Sequence, residues 1–256
     1  MDQGRKNKFG YGLIIVIPLV AIVGLLFQSP IVQDLSYHVF ADRNELWKIP
    51  NGWNTLSNFP FLIVGLMAIY QLLVKKNLHI LDELKLAYLL LFCGVTMVAL
   101  GSGYYHWSPD NTSLVWDRLP MTIAFMALFS IVIAEFISIR FAKFMLWPFV
   151  AAGITSVMVW YFGEAQGEGD LRLYVLVQFL PILIMPVIFI FFEPRFTCAA
   201  GYWWLLVTYL MAKLFEHYDG EILELTGLVS GHSIKHVLAA VGLLVILKTY
   251  QKRCAV

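Results

Sequence analysis

Long apolar runs alternate with short polar breaks along the whole chain. Eight runs stand out, at about 10–28, 53–74, 84–106, 114–137, 142–163, 171–192, 200–217 and 232–250. Each is close to the length that crosses a hydrocarbon core, about 20 residues. Inside lipid a backbone must satisfy its own hydrogen bonds, so every run is predicted to be a helix. The pattern predicts an all-α, polytopic membrane helix bundle. The first run follows the basic start "RKNK", as a signal peptide would. The segment after it, "FQSPIVQD", is a poor cleavage site, so an uncleaved anchor helix is favoured.

Composition agrees with the pattern. Apolar residues make up 60% of the chain and charged residues only 14%. Soluble domains lie nearer about 45–50% and about 25%. A net charge of +1 without a basic cluster gives no reason to expect a nucleic-acid partner, and no protein partner can be inferred. Cys93, Cys198 and Cys254 fit neither a zinc ribbon nor a disulfide framework and read as apolar filler.

The charges between runs set an orientation. With the N-terminus inside, the inner breaks hold Arg5, Lys6, Lys8, Lys75, Lys76, Lys85, Arg140, Lys143, Arg195, Lys248, Lys252 and Arg253. The outer breaks hold mainly Arg43, Lys48 and Arg172, with acidic stretches such as "GEAQGEGD". Positive-inside asymmetry therefore predicts that both termini are cytoplasmic.

This path brings distant polar residues to one depth near the outer face. His106 ends the third run, Asp117 begins the fourth, and "GHSIKH" begins the eighth. His232 and His236 are at i and i+4 and share a helix face. With His106 they make a three-histidine set, the ligand pattern of a catalytic zinc with one position open. Ser102 and His106 have the same i, i+4 spacing, so Ser102 faces the same cavity. Helix-to-helix hydrogen bonding is the plainer role for a membrane histidine. Three histidines with an aspartate and a serine at one depth favour a metal site, because ionisable groups in a membrane are costly. Arg118, at the membrane edge, could pair with a lipid headgroup or an outer-loop acid; structural pairing with an acid is the favoured expectation. Lys213, Glu216 and Asp219 read either as a ladder of internal pairs holding the site or as a substrate headgroup contact, with Asp219 the best candidate to brace a ligand.

"NTLSN" (54–58), "GSGYYH" (101–106), "DRLPM" (117–121) and "HSIKH" (232–236) occur in this order. Together they resemble the alkaline ceramidase family, within a superfamily shared with adiponectin-receptor-like proteins. The resemblance spans about 37–250. It implies a seven-helix core preceded by one extra N-terminal transmembrane helix. The division would be an anchor at 1–30, an outer segment at 31–52 and the hydrolase core at 53–256. It implies an intramembrane zinc-dependent amide hydrolase acting on ceramide or a similar N-acyl lipid. His106, His232 and His236 would bind zinc. Asp117 would be the general acid/base beside a zinc-activated water, and Ser102 the oxyanion stabiliser. It also implies a calcium site before the core, where Asp42, Asn44, Glu45 and Asn51 could supply oxygen ligands. "YHVFADR", "IPN" and "SNFPFL" look more like bacterial relatives, which implies a bacterial inner membrane. The rival reading is a receptor-like or structural zinc protein without turnover. A transporter is disfavoured, since no chain of polar residues runs through the bilayer.

Overall fold

A computed structural model describes residues 2–256. Among these residues the chain is helical, with no strand. The N-terminal helix α1 (Gln3–Phe27) packs along α7 (Arg172–Phe191) at the edge of the bundle. The segment between Gln28 and Asn51 has one short 3-10 turn, Leu35–His38, and crosses the end of the bundle. The bundle itself comprises α2 (Gly52–Leu56), α3 (Phe59–Tyr70), α4 (Lys85–Trp107), α5 (Asn111–Phe136), α6 (Ile139–Glu164), α7, α8 (Ala200–His217), α9 (Asp219–Thr226) and α10 (Gly231–Lys252).

Seven spans are long and apolar enough to cross a membrane, including the N-terminal one. They mark an integral membrane protein. The run expected at 200–217 does form a helix, α8, but is not among the seven. Its 18 residues are about 27 Å long. Lys213 and Glu216 dilute its apolar character.

The span expected at 53–74 breaks at Ser57–Asn58 into α2 and α3. That break turns polar side chains toward α10. Helix α5 is central: 72% of its apolar window is buried, and it packs against α4, α6 and α7. Local chemistry starts the helices where the sequence says. Asp110 and Ser113 form a reciprocal capping box for α5. Ser138 and Ser230 cap α6 and α10 through Phe141 N and Ser233 N.

Pro120 and Gly101 explain how α4 and α5 come so close. Proline has no amide to bond the carbonyl four residues back, which here is that of Trp116. The Trp116 carbonyl lies against Gly101, where a Cβ would collide with its oxygen. Glycine at 101 therefore lets α4 approach α5 beside Ser102 and Asp117.

At the far end of the bundle, Arg253 and Glu135 form a buried bidentate ion pair, with bonds of 2.7 and 2.8 Å. Tyr88 and Tyr202 donate to the same carboxylate. Arg253 Nε donates to His79 O at 2.7 Å. Arg253, read from sequence as a loop charge, is thus locked inside the protein.

Candidate functional site

Three histidines converge at the end of the bundle where the 28–51 segment crosses. His106 comes from the last turn of α4, and His232 and His236 from the first turns of α10. One ring nitrogen from each lies within 4.8 Å of the others, and all three residues are buried. Among the described residues this is the only group of three or more His, Cys, Asp or Glu that could hold a metal ion. His106 Nε2 and His232 Nε2 are 3.3 Å apart. Two nitrogens each about 2.05 Å from a tetrahedral zinc would be about 3.3 Å apart. His106 Nδ1 has no partner. Without a cation, the His106 ring has only another imidazole for polar company. The donor set therefore fits a metal.

Supporting groups orient the rings. The Ser57 hydroxyl donates to Asn54 O at 3.1 Å, so it accepts from His236 Nδ1 at 2.8 Å. That tautomer leaves the Nε2 lone pair for the centre of the triad. Asp219 accepts from His232 N at 2.7 Å and from Ala41 N at 3.1 Å, tying α10 to the 28–51 segment. It thus holds the His232 backbone rather than the ring. A Cβ at Gly231 would strike Phe215 O, so glycine there lets α10 start this close to α8. Phe40 packs on His106 and His232, with ring centroids at 4.7 and 5.1 Å. Asn54 accepts from Ser233 Oγ at 2.7 Å and donates to Asp42 O at 3.0 Å.

Ser57, Asn54 and Phe40 had no role assigned from sequence. The signal was present for two of them: "NTLSN" sets polar residues at the head of an apolar span, where they are costly unless used. Removing the Ser57 acceptor should weaken metal affinity about 10–100-fold. Competition between Ser57→Ala protein and a chelator measures this. Unchanged affinity would mean that packing alone holds the His236 ring.

Ser102 and Asp117 lie side by side. Both line a cavity of about 370 Å³, as does His236. The cavity continues along α4 past Val98 and Val95 to Leu91. Eleven residues of helix separate Ser102 from Leu91, about 16 Å. Away from its polar end the lining is apolar, including Leu128, Met185 and Leu243. Asn58 also lines it, with a buried Oδ1 that has no partner. Lys213 and Lys235 both pair with Glu216, the first at 2.7 Å. Arg118 does not pair with an acid as expected. Its Nη2 donates to Gln33 Oε1 at 2.6 Å, and its guanidinium stacks on Trp160 and Tyr174 at 4.3 and 4.7 Å.

The four residues considered for calcium lie between positions 42 and 51 of the outer segment, with Asn51 at the cap of α2. Asp42 is buried, and Asn44 N donates to its Oδ1 at 2.9 Å, while Oδ2 has no partner. Asn44 and Glu45 are exposed. Asn51 Nδ2 donates to His106 O at 2.8 Å, which links this segment to the histidine triad. His38, unassigned from sequence, bonds Tyr105 and Asn111 at 3.0 and 2.9 Å.

Residues 47–253 match the family model described as Ceramidase. The chain belongs to the Ceramidase family. That membership covers most of the chain and supports a hydrolase. Searches of curated proteins and of solved structures gave no match. In this ceramidase-family protein, the matched stretch includes all three histidines, Ser102 and Asp117.

Proposed function

We propose that this protein is an intramembrane zinc-dependent amide hydrolase that releases a fatty acid from ceramide or a similar N-acyl lipid. One observation carries the reading. A metal-competent histidine triad meets the Ser102–Asp117 pair at the polar end of an apolar cavity, in a chain of the Ceramidase family.

His106, His232 and His236 would hold the zinc, which when bound supplies Lewis acidity to water and to the amide carbonyl. The Asp117 carboxylate takes a proton from the attacking water. It returns that proton to the amide nitrogen as the C–N bond breaks. Ser102 Oγ–H donates to the carbonyl oxygen as negative charge builds there. Ser102 is not the nucleophile, because the three nearby histidines are committed to the metal. Asn58 Oδ1 accepts from an amide N–H or hydroxyl of the substrate. The acyl chain lies along the Val98–Val95–Leu91 wall. Helices α7 and α8 both line the cavity, where Gln178 donates to Tyr209 at 3.3 Å.

The unpartnered Asp42 Oδ2 supports a second cation. Calcium, which prefers oxygen, is our proposal for Asp42, Asn44, Glu45 and Asn51. We also keep an anchor at 1–30, an outer segment at 31–52 and a core at 53–256. The loop charges support cytoplasmic termini and a site near the outer face, and the resemblance of "YHVFADR", "IPN" and "SNFPFL" to bacterial relatives supports a bacterial inner membrane.

The test is turnover of a panel of N-acyl lipids by purified protein in neutral detergent. Release of fatty acid from at least one of them is expected. Absence of release from the whole panel would contradict the hydrolase reading.

A further inference from the structure

Arg118 is a buried cation without an acid. Only 5% of it is exposed, yet it lines the cavity beside Asp117. Its Nη2 donates to a neutral amide, Gln33, and its Nη1 has no partner at all. Trp160 and Tyr174 cover its faces, with Tyr37 farther off at 5.9 Å. Cation–π contact offsets only part of the cost of burying a guanidinium. Nearby, Lys213 and Lys235 share the single carboxylate of Glu216. The cavity wall therefore holds three cations, Arg118, Lys213 and Lys235, against two carboxylates, Asp117 and Glu216: an excess of one positive charge. Lys213 is also the most open of the Lys–Glu–Lys group, with 39% of its side chain exposed. A planar guanidinium with a free N–H edge suits a carboxylate or phosphate oxygen.

We propose that the lipid selected by this cavity carries an anionic headgroup, a carboxylate or phosphate near the amide, seated against Arg118 and Lys213. This rests on the reading of the cavity as a lipid-amide site. Such a headgroup would supply the missing counter-charge at the cavity's polar end, while its acyl chain fills the apolar wall. Neutral ceramide would leave Arg118 unpaired and should be the poorer substrate.

The experiment has two readouts on the full-length protein in neutral detergent. The first is kcat/KM for ceramide, ceramide 1-phosphate and an N-acyl amino acid of matched chain length. The second is calorimetric binding of tetradecyl phosphate, tetradecanoate and tetradecanol, none of which has an amide to cleave. Both are repeated with Arg118→Gln and with Lys213→Gln, the second guarding against misfolding of the first. At least a tenfold preference for anionic over neutral lipids is expected in binding, and in kcat/KM where there is turnover. The preference should shrink toward unity in either variant. The phosphate and carboxylate arms separate the two possible headgroups. Equal or better handling of the neutral lipids would overturn the proposal. So would an anion preference that survives in both variants, since that would come from the metal. Anion-selective binding lost in the variants, with no turnover of any amide, would support the anion site and remove the hydrolase reading instead.

Discussion

Asp117→Asn should lower turnover about 10²–10⁴-fold while leaving the metal in place. The asparagine keeps the shape of the side chain but cannot carry a proton from water to the departing nitrogen. Asp117 belongs to the cavity wall beside Ser102, not to the histidine triad. His106→Ala should behave differently, because it removes one of three donors from a buried set. Both the metal and the turnover should disappear. Metal content and fatty-acid release measured on the two variants together decide the matter. Loss of metal in Asp117→Asn would make that carboxylate a ligand. Full activity in Asp117→Asn would remove it from the chemistry.

Glu135→Ala should destabilise the fold by about 3–5 kcal/mol, because it strands Arg253 as an unpaired buried charge. Side chains of the pair are only 1% and 2% exposed. The carboxylate accepts from Nη1 and Nη2 of the guanidinium and from two tyrosine hydroxyls. Phe196 and Tyr250 stack on the same guanidinium, at 4.0 and 4.2 Å. Replacing both partners together, as Glu135→Met with Arg253→Met, should recover much of the loss, since no charge is then left alone. Thermal unfolding in detergent of Glu135→Met, Arg253→Met and the double variant gives the comparison. A double variant no better than the worse single would show that the tyrosine hydrogen bonds, not the charge pair, hold this end.

The difference between these two regions shows what a sequence reveals. The helices were legible because a bilayer imposes long apolar runs, and their polar breaks are hard to miss. The histidine triad was legible because alternating helices bring the ends of α4 and α10 to one face, and i, i+4 spacing put two of the histidines together. Glu135 and Arg253 carry no comparable signal. They are 118 residues apart, and Arg253 looks like any other positive charge after a membrane span. Arg118 was visible, but its lack of an acid was not, because pairing depends on tertiary approach. Ser57 was hidden in a different way. The polar "NTLSN" stretch marks it as costly unless used, but only the break between α2 and α3 turns it toward His236. Gly101 and Pro120 were both in view, yet their relation appears only when Trp116 O is seen lying between the helices.

Metal dependence of lipid cleavage is the most direct measurement. Protein purified without chelator would be assayed for fatty-acid release and metal content, then stripped of metal, then given zinc back. About one metal per chain is expected, with release abolished on stripping and restored by zinc. Fatty-acid release that persists in the stripped protein would contradict a role for the His106–His232–His236 triad in turnover. A full complement of metal with no release from any N-acyl lipid would contradict the hydrolase itself.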